Sequence, residues 1–331
     1  MNVIPPIEPA RVTATAPARL HLGFLDLNGD LGRRFGGIGL AIGGLRTRVA
    51  IQAAAQMHRD GAESERAGRY LDTMRRTLGL TGAYRLTVEE TVPAHAGLGS
   101  GTQLALAVAA ALRTLHGLPL DSRGDGVILG RGGRSGAGIG LFEQGGLVVD
   151  GGHGALPSAP PIVSRIPFPA RWRVLVVLDP ARQGVHGPDE SAAFAALPAF
   201  AGDDAARLCR LVLMKALPAL VEADIASFGD AITELQAVLG DHYAPAQGGH
   251  RFTSPAVAAC LDVLRRAGAH GIGQSSWGPT GFAFAPAAEE AERLAGLARF
   301  DPAGRGLDIR VCPGLNHGAE IAHTHAIAPE Q

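Results

Sequence analysis

The run Pro93-Ala94-His95-Ala96-Gly97-Leu98-Gly99-Ser100-Gly101-Thr102-Gln103 joins a strand-like stretch, Tyr84 to Glu90, to an Ala/Leu-rich helix, Gln103 to Leu115. Glycines in such a turn let the backbone take positive φ and come close to a ligand. The first N–H groups of the following helix lack intrahelical partners, so the turn is built to hold an anion. A ligand-free strand-to-helix turn fits a glycine cluster of this length equally well, and the rest of the chain has to decide. Lys215 is the only lysine. A Gly-x-x-x-x-Gly-Lys phosphate loop is therefore excluded, and any phosphate clamp must use arginine forks, backbone N–H groups or metal.

The elements that must position this loop fall into two halves, as the length of 331 residues allows. Arg11 to Leu22 alternates as a strand. A glycine-rich passage, Gly29 to Gly44, leads to a second strand over Thr47 to Gln52, and Glu63 to Leu78 has helical spacing with Tyr70, Leu71, Met74 and Leu78 on one face. A short helix, Ser122 to Gly130, precedes a second glycine-rich passage, Gly130 to Gly140, and the strand Gly146 to Asp150. Prolines at 157, 160, 161, 167 and 169 mark a linker, dividing the chain into 1–165 and 166–331. The second half opens with an apolar strand, Arg173 to Leu178. Helices over Asp203 to Leu217, Ile225 to Leu239 and Ser254 to Ala267 follow, then a third glycine turn, Gly271 to Gly281, a strand Phe282 to Phe284 and a helix Ala287 to Ala298. Strands Leu307 to Val311 and Ala319 to Ala322 end it. That order predicts two α+β domains.

A formal charge of −1, without a basic stripe, argues against nucleic acid, and no stretch reaches transmembrane length. Cys209, Cys260 and Cys312 are too scattered for a disulfide framework or zinc site, and Met1 to Ala10 lacks the pattern of a leader. A cytoplasmic enzyme is expected, without a membrane partner.

Three motifs in order resemble the GHMP superfamily of small-molecule kinases: Pro17-Ala18-Arg19-Leu20-His21-Leu22-Gly23, the central Gly97-Leu98-Gly99-Ser100-Gly101, and the C-terminal glycine loop before a strand. Gly101-Thr102 stands where these kinases have Ser-Ala, and Glu143-Gln144 lies in the neighbourhood of their aspartate base. Arg19 to Gly29, Gly32 to Leu40, Gly130 to Gly152, Ser275 to Pro279 and Asn316 to Ala319 resemble one branch, the β-ribofuranosylaminobenzene 5′-phosphate synthases. The resemblance implies a ribosomal S5 domain 2-like N-terminal domain and a ferredoxin-like C-terminal α/β sandwich. It also implies a magnesium-assisted condensation of 4-aminobenzoate or 4-hydroxybenzoate with 5-phosphoribosyl 1-diphosphate, releasing carbon dioxide and diphosphate, in tetrahydromethanopterin biosynthesis. A homodimer is expected.

On that reading Gly97, Leu98, Gly99, Ser100, Gly101 and Thr102 hold one phosphate group. Arg131 and Arg134 take the other, with Arg19, Arg33 and Arg34 as alternatives. Asp26, Glu143 and Asp179 are the carboxylates available to magnesium, Asp26 and Glu143 together with His21 are the candidate catalytic groups, and Ser275, Ser276 and Trp277 are candidates for the benzoate. Each has a plainer alternative: a satisfied half-buried imidazole at His21, a strand-end cap at Asp179, a solvated pair at Arg33-Arg34, a domain-interface plug at Trp277. His317, His323 and His325 read as structural. An ATP-dependent kinase of a small alcohol, or a non-catalytic nucleotide-binding regulator, would use the same central loop.

Overall fold

The computed structural model describes residues 11–184 and 187–324. Its first half contains β1 (Arg11–Asp26), β2 (Phe35–Ala54), β3 (His58–Gly61), α1 (Ser64–Thr77), β4 (Ala83–Glu90), α2 (Ser100–Leu115), α3 (Ser122–Ile128), α4 (Ala137–Gln144), β5 (Leu147–Asp150) and β6 (Ile162–Ile166). The second contains β7 (Arg173–Leu178), α5 (Gly187–Ala196), α6 (Gly202–Leu211), α7 (Leu217–Glu222), α8 (Ile225–Tyr243), α9 (Pro255–Arg266), β8 (His270–Gln274), β9 (Gly281–Ala285), α10 (Ala288–Phe300), β10 (Asp308–Pro313) and β11 (Glu320–Thr324). A 7-stranded sheet runs β11-β1-β2-β4-β3, with β5 and β6 branching from β2, and a 4-stranded antiparallel sheet runs β10-β7-β9-β8. The two-domain α+β expectation holds in its outline.

Four expectations change. The glycine-rich passage after Gly29 is mostly strand, since β2 begins at Phe35 and pairs with β1 as far as Gln52. Its glycines serve packing: a Cβ at Gly39 would lie 2.9 Å from the Ala137 Cβ and 3.0 Å from Leu141, so only glycine lets α4 lie this close to the strand. The end of the second glycine passage is likewise helical, because α4 starts at Ala137. The proline cluster is no bare linker, for it frames β6, which pairs with β5. β11, expected to finish the second domain, returns to pair with β1, Arg11 opposite Thr324. The division near 165 therefore describes the chain but not the sheet.

β1 serves both halves. Val12, Ala14 and Ala16 pack with α1 and α2 in one core, whereas Ala18, Leu20 and Leu22 join the core built with α8. A register shift between Pro17 and Ala18 separates the two stretches. α2 is buried on nearly every side from Gln103 to Arg113, which its alanine content permits. Arg113 meets Asp125 of α3 through two hydrogen bonds of 2.7 Å. Losing one partner of such a buried pair typically costs about 3–5 kcal/mol. The pair seats α3, and with it the start of the loop at Gly130. Among the described residues no helix is long and apolar enough to cross a membrane.

Candidate active site

Between the halves lies a cleft of about 510 Å³, lined from the first half by β1, the N-terminus of α2 and the loop 130–135, and from the second by α5, α8, Arg251 and the turn 274–278. Gly99 caps α2 at φ 75°, and its carbonyl accepts from the N–H groups of Thr102 and Gln103 at 3.1 Å each. Among the described residues the N–H groups of Ser100 and Gly101 have no partner, and both residues line the cleft. The N–H groups open to a ligand are therefore fewer than the expected run from Gly97 to Thr102. Leu98 is buried and its carbonyl accepts from the Arg19 N–H at 3.0 Å. Ser275, also buried, donates its hydroxyl to Gly97 O at 2.8 Å and accepts from the His21 N–H at 3.0 Å. Leu98 and Ser275 thus hold the loop against β1 and the second domain rather than facing a ligand.

Among the described residues five arginines line the cleft, Arg19, Arg66, Arg131, Arg134 and Arg251, and no Asp or Glu does. Arg66 was hidden in the polar face of a helix whose apolar side was the readable signal. The hydroxyl of Tyr70 accepts from Arg66 Nε at 3.0 Å and also from Arg131, whose guanidinium stacks over the same ring at 5.3 Å. One phenol thus fixes two guanidinium groups beside the start of α2, where Arg131 Nη1 would lie 3.2 Å from a Cβ at Gly101. Two cations held this close to free N–H groups are matched by phosphate. Arg251 is paired with Asp241 at 2.5 and 2.7 Å.

The loop that carries Arg131 and Arg134 is anchored by Asp150, which sequence reading placed only at a strand end. Asp150 Oδ2 accepts from the Ser135 hydroxyl at 2.8 Å and the Ala137 N–H at 3.1 Å, and Oδ1 accepts from the Gly152 N–H at 2.9 Å. Burial pushes this carboxyl above its ordinary range, and these donors oppose that shift.

His21 lines the cleft but is 2% exposed, and its Nε2 has no partner among the described residues. Burial first, and Arg19 second, hold its pKa well below 6.5, so the ring is neutral at pH 7. Because the folded value is lowered, the unfolded chain binds the proton more readily between that value and about 6.5. Stability should rise with pH across that window and be flat with respect to His21 above it. His21→Gln should flatten the acid side of a melting-temperature profile taken from pH 5 to 8; an unchanged slope would contradict a buried neutral ring.

The remaining candidates lie elsewhere. Asp26 accepts from the N–H groups of Asn28 and Gly29, ending β1 in a turn. Glu143 faces Arg123 at 3.7 Å, and burial raises its carboxyl. Asp179 accepts from the Ser254 hydroxyl at 2.6 Å and the Ala181 N–H at 3.0 Å, the strand-end role. These three carboxylates do not converge, none lines the cleft, and no cluster of three or more His, Cys, Asp or Glu suited to a metal occurs among the described residues. A carboxylate cage for magnesium is therefore not formed by them. Arg33 donates to Gly151 O and Gly152 O at 2.6 Å each, and Arg34 donates to Leu27 O at 2.9 Å; neither lines the cleft. Ser276 and Trp277 do line it, but Trp277 is 4% exposed and its indole stacks on Phe194 at 4.4 Å and 7°. The bare indole face expected for a benzoate is covered. His317 lies 3.6 Å from Glu320 at the surface, and His325 is outside the described residues.

The GHMP kinases N terminal domain family matches residues 65–138 and the GHMP kinases C terminal family residues 216–298. Homoserine kinase from Cytophaga hutchinsonii has the same fold, at a TM-score of 0.67 and 17% identity over 94% of this chain and 97% of that one. Mevalonate diphosphate decarboxylase from Staphylococcus aureus superposes at 0.64 and 16% identity, covering 95% and 98%. The two domains and the glycine loop at the head of α2 are thus those of the GHMP superfamily.

Two curated relatives narrow this further. The β-ribofuranosylphenol 5′-phosphate synthase of Methanothermobacter thermautotrophicus is 34% identical over 92% of this chain and 96% of its own. That of Archaeoglobus fulgidus is 35% identical over 81% and 85%. The chain belongs to the β-ribofuranosylphenol 5′-phosphate synthase family and is an enzyme.

Proposed function

We propose that the enzyme joins C1 of the ribose of 5-phosphoribosyl 1-diphosphate to the carboxyl-bearing carbon of a para-substituted benzoate, releasing diphosphate and carbon dioxide. The relatives are named for a phenol product, which makes 4-hydroxybenzoate the first acceptor to test and 4-aminobenzoate the second. The single observation that carries the reading is a cleft that, among the described residues, is lined by five arginines and two free helix N–H groups and by no carboxylate. Such a lining suits a ligand set with a phosphate, a diphosphate and a benzoate.

The ribose C1–O bond breaks with its electron pair leaving on diphosphate. The ring carbon, enriched by the para donor, supplies the pair for the new C–C bond. The pair of the C–carboxylate bond then restores aromaticity as carbon dioxide departs, so no base is needed at that carbon. The chain's part is to orient the two substrates and stabilise the charge growing on diphosphate, a task assigned to Arg66, Arg131 and the Ser100 and Gly101 N–H groups. Magnesium is assigned to the diphosphate itself rather than to Asp26, Glu143 or Asp179. His21 enters as a neutral hydrogen-bonding ring. A kinase reading would use the same N–H groups but finds no lining carboxylate among the described residues to take an alcohol proton. We assign the enzyme to the reducing cytoplasm, a placement that three free cysteines suit.

Ligand-induced stabilisation separates the two activities. At 100 times its Kd, 5-phosphoribosyl 1-diphosphate should stabilise the protein by about 2.7 kcal/mol, whereas ATP should do so weakly or not at all. The reverse order in a thermal-shift titration would favour the kinase.

A further inference from the structure

Three polar side chains converge over the backbone of Gly37. A Cβ on that residue would lie 2.5 Å from Ser135 Oγ, 2.8 Å from Asp150 Oδ2 and 3.2 Å from His21 Nε2, so glycine is what lets them meet. His21 and Ser135 also line the cleft. The imidazole is held in place by its surroundings: its backbone N–H donates to Ser275 Oγ at 3.0 Å, and Phe24 meets the ring edge-on at 4.6 Å.

The hydrogen bonds around Gly37 decide which ring nitrogen carries the proton. Ser135 donates its hydroxyl to Asp150 Oδ2 at 2.8 Å, and the two oxygens share the Ala137 N–H at 3.1 Å each. Both oxygens therefore face Nε2 as acceptors. A neutral ring turned to two acceptors carries its proton on Nε2, which leaves Nδ1 as a lone pair. Nε2 is sealed from solvent; Nδ1 is not, and it has no hydrogen-bond partner among the described residues. The arginines and helix N–H groups of the cleft are donors and suit phosphate and carboxylate oxygens. Nδ1 is an acceptor and suits the proton of an O–H group.

We propose that His21 Nδ1 reads a substrate hydroxyl, and that Ser135 and Asp150 position it by fixing the tautomer from the side of Gly37. The ligand's identity rests on the reaction proposed above, in which both substrates offer such a group, on the ribose of the donor and at the para position of the acceptor. No proton is transferred, since burial keeps the ring neutral.

The test is calorimetric titration of the wild type, His21→Phe, His21→Asn and His21→Gln with ribose 5-phosphate and 4-hydroxybenzoate. Inorganic phosphate and benzoate serve as the counterparts that lack a hydroxyl. An asparagine amide reaches the place of Nδ1, and a glutamine amide that of Nε2. At least one hydroxyl ligand should bind His21→Phe and His21→Gln about three- to tenfold more weakly, with a smaller loss in His21→Asn, while phosphate and benzoate stay within about twofold. The ligand that weakens identifies the source of the hydroxyl. Nitrogen-15 spectra of histidine-labelled wild type, with His21→Gln assigning the resonances, should show Nε2 protonated and Nδ1 bare. Circular dichroism checks each fold, and should His21→Phe fail to fold, the asparagine and glutamine variants decide. Unchanged binding of both hydroxyl ligands by folded variants, equal weakening of their counterparts, or a proton on Nδ1 overturns the proposal. A wild type that binds neither 5-phosphoribosyl 1-diphosphate nor 4-hydroxybenzoate overturns the proposed reaction and this inference with it.

Discussion

Gly99→Val should leave a folded protein that no longer binds 5-phosphoribosyl 1-diphosphate measurably. The residue sits at φ 75°, where a β-branched side chain is strained, and its Cβ would lie 2.9 Å from the Arg19 Cβ. The strain is relieved by moving the turn, which takes the Ser100 and Gly101 N–H groups away from the ligand. Each charge-assisted hydrogen bond contributes about 1.5–3 kcal/mol, so losing two weakens the donor by at least about 100-fold. α2 itself is held by burial along most of its length, which is why folding should survive. Calorimetric titration of the donor, with circular dichroism as the control, checks both halves of this expectation. Normal donor affinity would remove the loop as a phosphate site.

Arg131→Ala should weaken the donor by about 10- to 100-fold, the equivalent of one charge-assisted contact, and leave the acceptor Kd within about twofold. Arg131 is chosen because the Tyr70 hydroxyl and ring fix its guanidinium beside α2, so little entropy is lost when phosphate arrives. Arg131→Lys should recover only part of the loss, since a point charge cannot reproduce both the stack on Tyr70 and a forked contact. Arg19→Ala and Arg134→Ala test the other sequence candidates in the same way. Equal weakening of donor and acceptor by Arg131→Ala would mean the loop had collapsed rather than lost a contact.

The glycine turn at the head of α2 was legible because glycine before an Ala-rich helix has few uses, and Arg131 and Arg134, which line the cleft, were legible because they interrupt a glycine run. Sequence reading misjudged glycines whose role is close packing. Gly39 lies in a strand and Gly138 and Gly140 in a helix, since local propensity cannot register a neighbouring helix that needs the space. Arg66 stayed hidden because an arginine on a polar helix face reads as solvated until tertiary structure puts Arg131 beside it. Asp26, Glu143 and Asp179 looked available because each stands next to a glycine loop or strand end. The fold engages them in a turn, an ion pair and a helix-cap contact instead. Trp277 was legible as an aromatic at the domain junction, while its partner Phe194, 83 positions away in an alanine-rich helix, was not.

The central claim is that carbon–carbon bond formation to ribose precedes loss of the carboxylate, and it is tested most directly with 4-hydroxybenzoate labelled at its carboxyl carbon. Labelled carbon dioxide should appear only when 5-phosphoribosyl 1-diphosphate and magnesium are both supplied, in equal amount to the diphosphate formed, with no effect of added ATP; 4-aminobenzoate is run in parallel. The dependence follows because only the dearomatised adduct can accept the electrons of the breaking bond, so benzoate without a para donor should react very poorly. Release of labelled carbon dioxide without the ribosyl donor, or transfer of phosphate from ATP to a small alcohol, would contradict the account.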